Sequence, residues 1–290
     1  MANNIELFKK YITLLDEVYK NASLTAELDG DPALVQAGAN ANEIIIPKIS
    51  MQGLGDYSRT EGYPHGDVTL TYETVKFNYD RGRSFNVDNM DNLETAGIAF
   101  GKLASEFIRT KTVPELDAFR FATYAAVDGI GKVEGTLNDG PAVISALRAA
   151  TNKMDEAEVP LTERYLYITP TLFGLIEDMD TTKSKEVVGR FSKVVQVPQT
   201  RFYTSIDLAD GKSEAEGGYK KTPSTGADIN FMVIHKSAVL QYPKHTVNKI
   251  ISPQENQEMD AWKFFFRAYG LADAYENKVA GIYLHHKTAG

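Results

Sequence analysis

The sequence predicts an α+β fold in which one very long helix supports an extended hairpin and a mixed α/β domain. The first observation is a helical apolar repeat from Asn89 to Gly129, longer than most globular helices. The second is a pair of strand patterns, residues 43–49 and 67–87, joined by a polar, glycine-rich tip. The third is the alternation of strand and helix patterns between residues 135 and 245.

The long helix is predicted from one apolar stripe and its end signals. Asp91 and Glu94 have the spacing of a capping box, and Gly129 follows the last periodic residues as a helix stop. The stripe is formed by Leu93, Gly97, Phe100, Ala104 and Phe107, widened by Ala96, Leu103 and Ile108, and resumed by Leu116, Phe119, Thr123 and Ala126.

Pro114 interrupts this repeat. Proline lacks a backbone donor and disfavours helical geometry in the preceding residue, and Thr112 with Glu115 offers a second capping box. The sequence therefore predicts one rod with a bend or a short break near Thr112. A helix of about 36 residues would span roughly 54 Å, more than a compact domain requires.

Composition excludes several functional classes. The chain has 290 residues, a net charge of −8 and no cysteine. The acidic balance argues against tight binding of duplex DNA through phosphate contacts, and the missing thiols exclude disulfides and thiolate zinc sites. Residues 1–20 predict an amphipathic helix rather than a secretory signal, and residues 21–42 predict an arm that takes its order from elsewhere. No apolar run reaches the length of a membrane span.

The hairpin predicted from residues 43–88 would reach roughly 40–50 Å and bury too little to be stable alone. Its second strand pattern shifts phase after Tyr72, which indicates a bulge or twist. Charges of alternating sign suit a polar contact with another copy of the chain. The candidate contact residues are Asp56, Tyr57, Arg59, Glu61, Arg81 and Arg83. Charge reversal at Arg59 or Arg81 is therefore expected to impair assembly more than folding.

The remaining chain predicts two further units. Residues 165–168 and 229–234 are buried-type strands of an α/β domain, and residues 207–228 predict an exposed polar loop. Three later strand patterns, residues 247–251, 261–269 and 278–286, predict an antiparallel meander. The second of them carries an aromatic face, formed by Trp262, Phe264, Phe266 and Ala268, that can cover the long helix.

This order of elements, ending in the segment Trp262-Lys263-Phe264-Phe265-Phe266-Arg267-Ala268-Tyr269-Gly270, resembles a tailed-phage major capsid protein of the Hong Kong 97 type. The resemblance covers nearly the whole chain. It implies an N-terminal arm, an extended hairpin loop, a spine helix in a peripheral domain, an axial domain and final peripheral-domain strands. The corresponding ranges are residues 1–42, 43–88, 89–134, 135–245 and 246–290.

The resemblance implies a structural shell protein without cofactor, metal or catalytic residues. Hexamers and pentamers would close into an icosahedral head around double-stranded DNA, assembled in the host cytoplasm with a portal and a separate scaffolding protein. Some members crosslink a loop lysine to a neighbour's asparagine; Lys48 and Lys76 are available, but nothing in the sequence identifies their partners. A cellular nanocompartment shell that encloses cargo proteins is the alternative reading.

An α/β enzyme is the competing class. His285 and His286 are adjacent in a predicted strand, so their rings point to opposite faces and suit one metal poorly. The sequence contains no nucleophile elbow, zinc-protease helix or phosphate-binding loop. The shell is therefore the function that the sequence favours.

Overall fold

A computed structural model describes residues 23–30, 36–37, 43–60, 62–90, 104–179, 181–213 and 216–289. The long helix is α-helical at residues 104–107, π-helical over Ile108–Thr112 and α-helical in α1, Val113–Ala126. The helix remains continuous through Thr112, whose φ of −70° and ψ of −49° are helical, so of the predicted bend or short break the break is not formed. A wide π turn directly precedes Pro114, and this irregular turn is where the continuous helix accommodates a residue without a backbone donor.

The predicted ends of this helix have separate outcomes. The side chain of Thr112 caps nothing, so the second capping box is not formed. The helix ends at Ala126, and Gly129 follows with a left-handed φ of +81°, which glycine adopts without strain. The first capping box, Asp91 with Glu94, lies outside the described residues.

The predicted strand of residues 67–87 is two strands in two different sheets. The hairpin sheet has the order β1–β2–β3, with β1 Gln36–Ala37, β2 Glu43–Met51 and β3 Val68–Lys76, all antiparallel. The strand β4, Tyr79–Asp88, pairs elsewhere. Asn78 fixes the crossing, because its side chain donates to the Ala272 carbonyl at 2.8 Å and accepts from the Ala272 amide at 3.1 Å. The change of sheet lies at residues 77–78, whereas the phase shift after Tyr72 falls within β3, which pairs with β2 without a register shift, so no bulge forms there.

The five-stranded sheet has the order β5–β13–β10–β6–β7. Its strands are β5 Gly131–Glu134, β6 Arg164–Ile168, β7 Lys193–Gln196, β10 Ile229–His235 and β13 Ile282–His286. The helices α2 Gly140–Glu156, α3 Pro170–Glu177 and α4 Thr182–Val188 lie along this part of the chain. Val143, Leu147, Leu172 and Val187 from the helices pack against Leu166 and Phe231 of the sheet.

The long-strand sheet has the order β11–β12–β4, with β11 Val239–Ile251 and β12 Ala261–Ala274. The predicted aromatic face of β12 is confirmed: Phe264, Phe266 and Ala268 pack against Ile108 and Leu116 of the long helix. The predicted C-terminal meander is wrong in its last strand. β13 joins the five-stranded sheet, antiparallel to β10 and parallel to β5, so the chain returns to that sheet after β12.

Two segments predicted to lack structure are ordered. Within the predicted polar loop, β8 Ile206–Leu208 and β9 Tyr219–Lys221 form an antiparallel hairpin. Within the predicted arm, residues 23–30 contain a 3₁₀ turn, Ala26–Leu28, and bury Leu28 in the main core. These residues take their order from contacts with the rest of the chain, as the sequence predicts for the arm.

Candidate assembly surface

The root of the hairpin is anchored in the body of the chain. Ile44 is buried beside Leu240 and Leu271 of the long-strand sheet. Lys48 pairs with Glu276 at 2.6 Å and with Glu73 at 2.5 Å. Hydrogen bonds from Lys48 to these two carboxylates raise the pKa of the ammonium, so Lys48 stays protonated and is a poor nucleophile.

Beyond Lys48 the hairpin exposes large apolar side chains on both strands. Tyr63 is 83% exposed, Met51 is 70% exposed and Leu54 is fully exposed. The whole set is Ile49, Met51, Leu54, Tyr57, Tyr63, Val68, Leu70 and Tyr72. The part of the chain that the structure describes leaves these side chains uncovered. An apolar surface of this extent marks an interaction site on a soluble protein.

The tip is shaped by a tight local turn. Ser58 and Gly62 exchange backbone hydrogen bonds of 3.1 and 2.8 Å, and Gly62 has a left-handed φ of +82°. The rings of Tyr57 and Tyr63 lie 4.9 Å apart across this turn. Two aromatic rings stiffen the tip at little entropic cost, because each has only two rotatable bonds.

The structure brings together only part of the predicted contact set. Asp56, Tyr57 and Arg59 are exposed at the tip. Glu61 lies outside the described residues. Arg81 and Arg83 belong to β4, in the long-strand sheet and not on the hairpin.

Arg81 makes an ion pair within the chain. Its Nε donates to Glu115 Oε1 of α1 at 2.7 Å, and its Nη2 donates to the Gly218 carbonyl at 3.4 Å. Tyr79 donates its hydroxyl to the same carboxylate at 3.3 Å. Glu115 therefore accepts hydrogen bonds from the half-buried Arg81 and from the buried Tyr79, and these bonds connect α1 to β4.

Arg83 lies against the turn between β8 and β9. A Cβ added at Gly211 would lie 2.8 Å from Arg83 Nη1, and one at Gly217 would lie 3.1 Å from it. Both glycines also have positive φ, so the turn combines a left-handed backbone with close approach to the guanidinium. That either arginine contacts a neighbouring copy stays a prediction.

Sequence reasoning missed the apolar part of this surface. The candidate set consists of five charges and Tyr57, whereas the exposed side chains of the hairpin also include Leu54, Val68 and Leu70. The available signal was the alternation of Val68, Leu70 and Tyr72 in a ribbon too thin to bury them. The same alternation therefore predicts a strand and also indicates an interface.

The histidine pair lies on opposite sides of β13, as predicted. His285 is buried, with Nδ1 2.9 Å from Asn230 Nδ2 and its ring 5.2 Å from that of Phe231. His286 Nδ1 lies 2.8 Å from the Lys287 carbonyl. Within the described ranges no cluster of three metal-ligating side chains occurs.

The stability of the unassembled chain should fall as the pH is lowered from 6.5 to about 4. Burial, with a smaller contribution from His286, lowers the pKa of His285 to about 4, so the unfolded chain binds the proton more readily between those values. We expect a loss of about 1–2 kcal/mol after allowance for solvent screening, measured by urea unfolding at pH 7 and pH 4.5. Other groups titrate in this window, so the test is the difference between the wild type and His285→Gln, which should have a weaker pH dependence. A His286→Gln control should stay closer to the wild-type dependence, because His286 makes only the smaller contribution to the lowered pKa of His285, and equal slopes in all three proteins would contradict the assignment.

Among the residues with described structure, no helix is long and apolar enough to cross a membrane.

Comparisons with solved structures identify the fold. A chain of Mycobacterium phage Che8 matches with a TM-score of 0.61 and 13% identity, over 91% of this chain and 90% of that chain. The capsid structure of Cyanophage P-SCSP1u matches with a TM-score of 0.57 and 12% identity, over 88% of this chain and 86% of that chain. A virus-like particle from Pyrococcus furiosus matches with a TM-score of 0.58 and 10% identity, over 97% of this chain and 99% of that chain. The chain therefore has the fold of tailed-phage major capsid proteins, and the resemblance stated from the sequence is confirmed.

No family model and no curated protein matches the sequence.

Proposed function

We propose that this chain is a shell protein that assembles as hexamers and pentamers into an icosahedral phage head. The observation that carries the proposal is the hairpin, which is anchored at Ile44 and Lys48 and leaves its apolar side chains uncovered. A second copy of the chain would cover that surface, and a closed lattice repeats the contact many times, so a modest contact suffices. The likeness in fold to phage capsid chains supports the same function.

Within this proposal the described elements have distinct roles. The hairpin is the extended loop, the long helix is the spine, and β11, β12 and β4 form the peripheral sheet that packs on it. The five-stranded sheet with α2, α3 and α4 is the core of the axial domain. Because β5 and β13 pair within this sheet, we assign them to the axial domain as well. The net charge of −8 suits a shell that holds double-stranded DNA without sequence-specific contacts. A portal and a separate scaffolding protein are the further partners we expect.

A nanocompartment shell around protein cargo is the second candidate. The observation that favours it is the likeness to the virus-like particle from Pyrococcus furiosus, which extends over 97% of this chain. Both candidates require the same hairpin contact and differ in what the shell encloses.

The first experiment images the purified chain, expressed with and without its neighbouring genes, by light scattering and negative-stain electron microscopy. Rings of five or six, or closed shells, are expected. Nuclease-protected double-stranded DNA inside the shells would favour the phage head, and a co-purified cargo protein would favour the nanocompartment. A monodisperse monomer or dimer under every condition would overturn both.

A further inference from the structure

Residues 23–30, which we call the strap, satisfy a fully buried carboxylate of the long helix. Asp117 accepts hydrogen bonds from the Ser23 hydroxyl at 2.9 Å, the Thr25 hydroxyl at 2.9 Å and the Leu24 amide at 3.2 Å. A buried carboxylate without donors is strongly disfavoured. The strap therefore supplies three hydrogen-bond donors to this buried carboxylate, and Arg201 Nη1 supplies a further one at 3.4 Å.

The same segment satisfies a second set of buried groups. Arg120 donates to the Thr25 hydroxyl at 2.8 Å and to Asp29 Oδ1 at 3.3 Å. The Gln241 side chain donates to the Thr25 carbonyl at 2.7 Å and to Asp29 Oδ1 at 2.6 Å, and it accepts from the Tyr124 hydroxyl at 2.7 Å. Thr25 is the centre of this network, because its hydroxyl links Asp117 to Arg120 while its carbonyl binds Gln241.

These partners belong to three different parts of the fold. Asp117 and Arg120 lie on α1, and Gln241 lies on β11 of the long-strand sheet. On the side of the five-stranded sheet, Glu27 pairs with Lys193 of β7. Leu28 enters a core built by α1 and by both sheets, whose members include Tyr124, Tyr167, Val239, Ala272 and Ile282. The strap thus contacts the long helix, the long-strand sheet and the five-stranded sheet.

We propose that the strap is a latch that holds the long helix, the long-strand sheet and the five-stranded sheet in one relative arrangement. Its release opens the buried network to water and loosens their junction, while the interior of each sheet stays folded. Each sheet retains its own ladder and its own apolar cluster, and the strap adds no strand to either ladder. The inference concerns a single copy of the chain and does not depend on the proposed function.

Hydrogen exchange on the unassembled full-length chain tests the latch with Thr25→Val. The substitution keeps the shape of the side chain and removes the hydroxyl that joins Asp117 to Arg120. We expect amides of the strap, such as those of Leu28 and Gly30, to exchange about tenfold faster or more. The Tyr275 amide, which donates to the Ala238 carbonyl at the junction, should follow them. Amides in the middle of β6 and β10 should keep their wild-type rates.

Thr123→Val is the matched control. Thr123 lies on the same helix, and its hydroxyl donates its hydrogen to the Phe119 carbonyl at 2.8 Å and not to the strap. This variant should leave the exchange of the strap and the junction unchanged. Equal rates in the strap for Thr25→Val and Thr123→Val would overturn the proposal, as would strap exchange that rises while the junction keeps its wild-type rate.

A milder pair of variants covers the case in which Thr25→Val fails to fold. Glu27→Gln removes only the exposed ion pair with Lys193, and Glu106→Gln removes an equally exposed pair with Arg109 of the long helix. We expect faster exchange of the strap and the junction in Glu27→Gln alone, by about two- to fivefold. Uniform acceleration of all amides in Glu27→Gln would contradict a latch and indicate that the strap is an inseparable part of one core.

Discussion

The Arg81→Glu variant should fold poorly, with a loss of about 2–4 kcal/mol in the free energy of unfolding. The substitution removes the cation that pairs with Glu115 at 2.7 Å and places a second carboxylate against it. Glu115 is only 11% exposed at its side chain, so water can compensate little of the repulsion. Urea unfolding followed by circular dichroism measures the loss.

Two variants make this prediction specific. Arg59→Glu makes the same charge reversal at the exposed tip and should alter the free energy of unfolding by less than about 0.5 kcal/mol. The double variant Arg81→Glu with Glu115→Arg restores a pair of opposite charges and should recover part of the lost free energy of unfolding. Similar stability of Arg59→Glu and Arg81→Glu would contradict the structural role of Arg81.

For Arg81 the structure changes the expectation drawn from the sequence. A charge on a predicted hairpin suggests a contact with a neighbour, whereas the residue lies on β4 and pairs with a carboxylate of α1. Assembly of an Arg81 variant would be lost together with its fold. The tip residues Asp56 and Arg59 therefore remain the charges with which to test contacts between copies.

The parts of the fold that the sequence predicted well are those with a strong local period. The period-two spacing of Trp262, Phe264, Phe266 and Ala268 identified β12 and the face that it turns to the helix. The buried-type run at Ile229 identified β10 in the same way. In these two segments the apolar residues of the sequence are the buried residues of the fold, so the local pattern alone is sufficient to predict the strand.

The errors fall where the partner of a segment is distant in the chain. Nothing local indicates that β3 and β4 pair with different strands, because the apolar alternation shifts phase after Tyr72, inside β3, and not at residues 77–78 where the sheet changes. Which sheet β13 joins is decided by its pairing with β10 and β5 and not by its own composition. The strap was missed for a similar reason, because its order depends on Asp117 and Gln241.

Replacing Leu54 and Tyr63 with serine should abolish assembly and leave the fold intact. Both side chains are almost wholly exposed in the single chain, so their removal should change stability by less than about 0.5 kcal/mol. In an assembled shell each would be covered by a neighbour, and burial of a large apolar side chain contributes about 1.5–3 kcal/mol per contact. Because every copy repeats the contact, we expect the assembled fraction to fall by about tenfold or more, as measured by light scattering and electron microscopy.

The double variant Leu161→Ser with Met259→Ser is the matched control for the hairpin. These side chains are 64% and 46% exposed, and neither lies on the hairpin. Their replacement removes a comparable type of exposed apolar surface and should leave assembly at the wild-type level. If both double variants assembled equally well, the hairpin would not be the contact between copies. If both failed while remaining folded, general surface hydrophobicity and not the hairpin would drive association, and the shell would require a different interface.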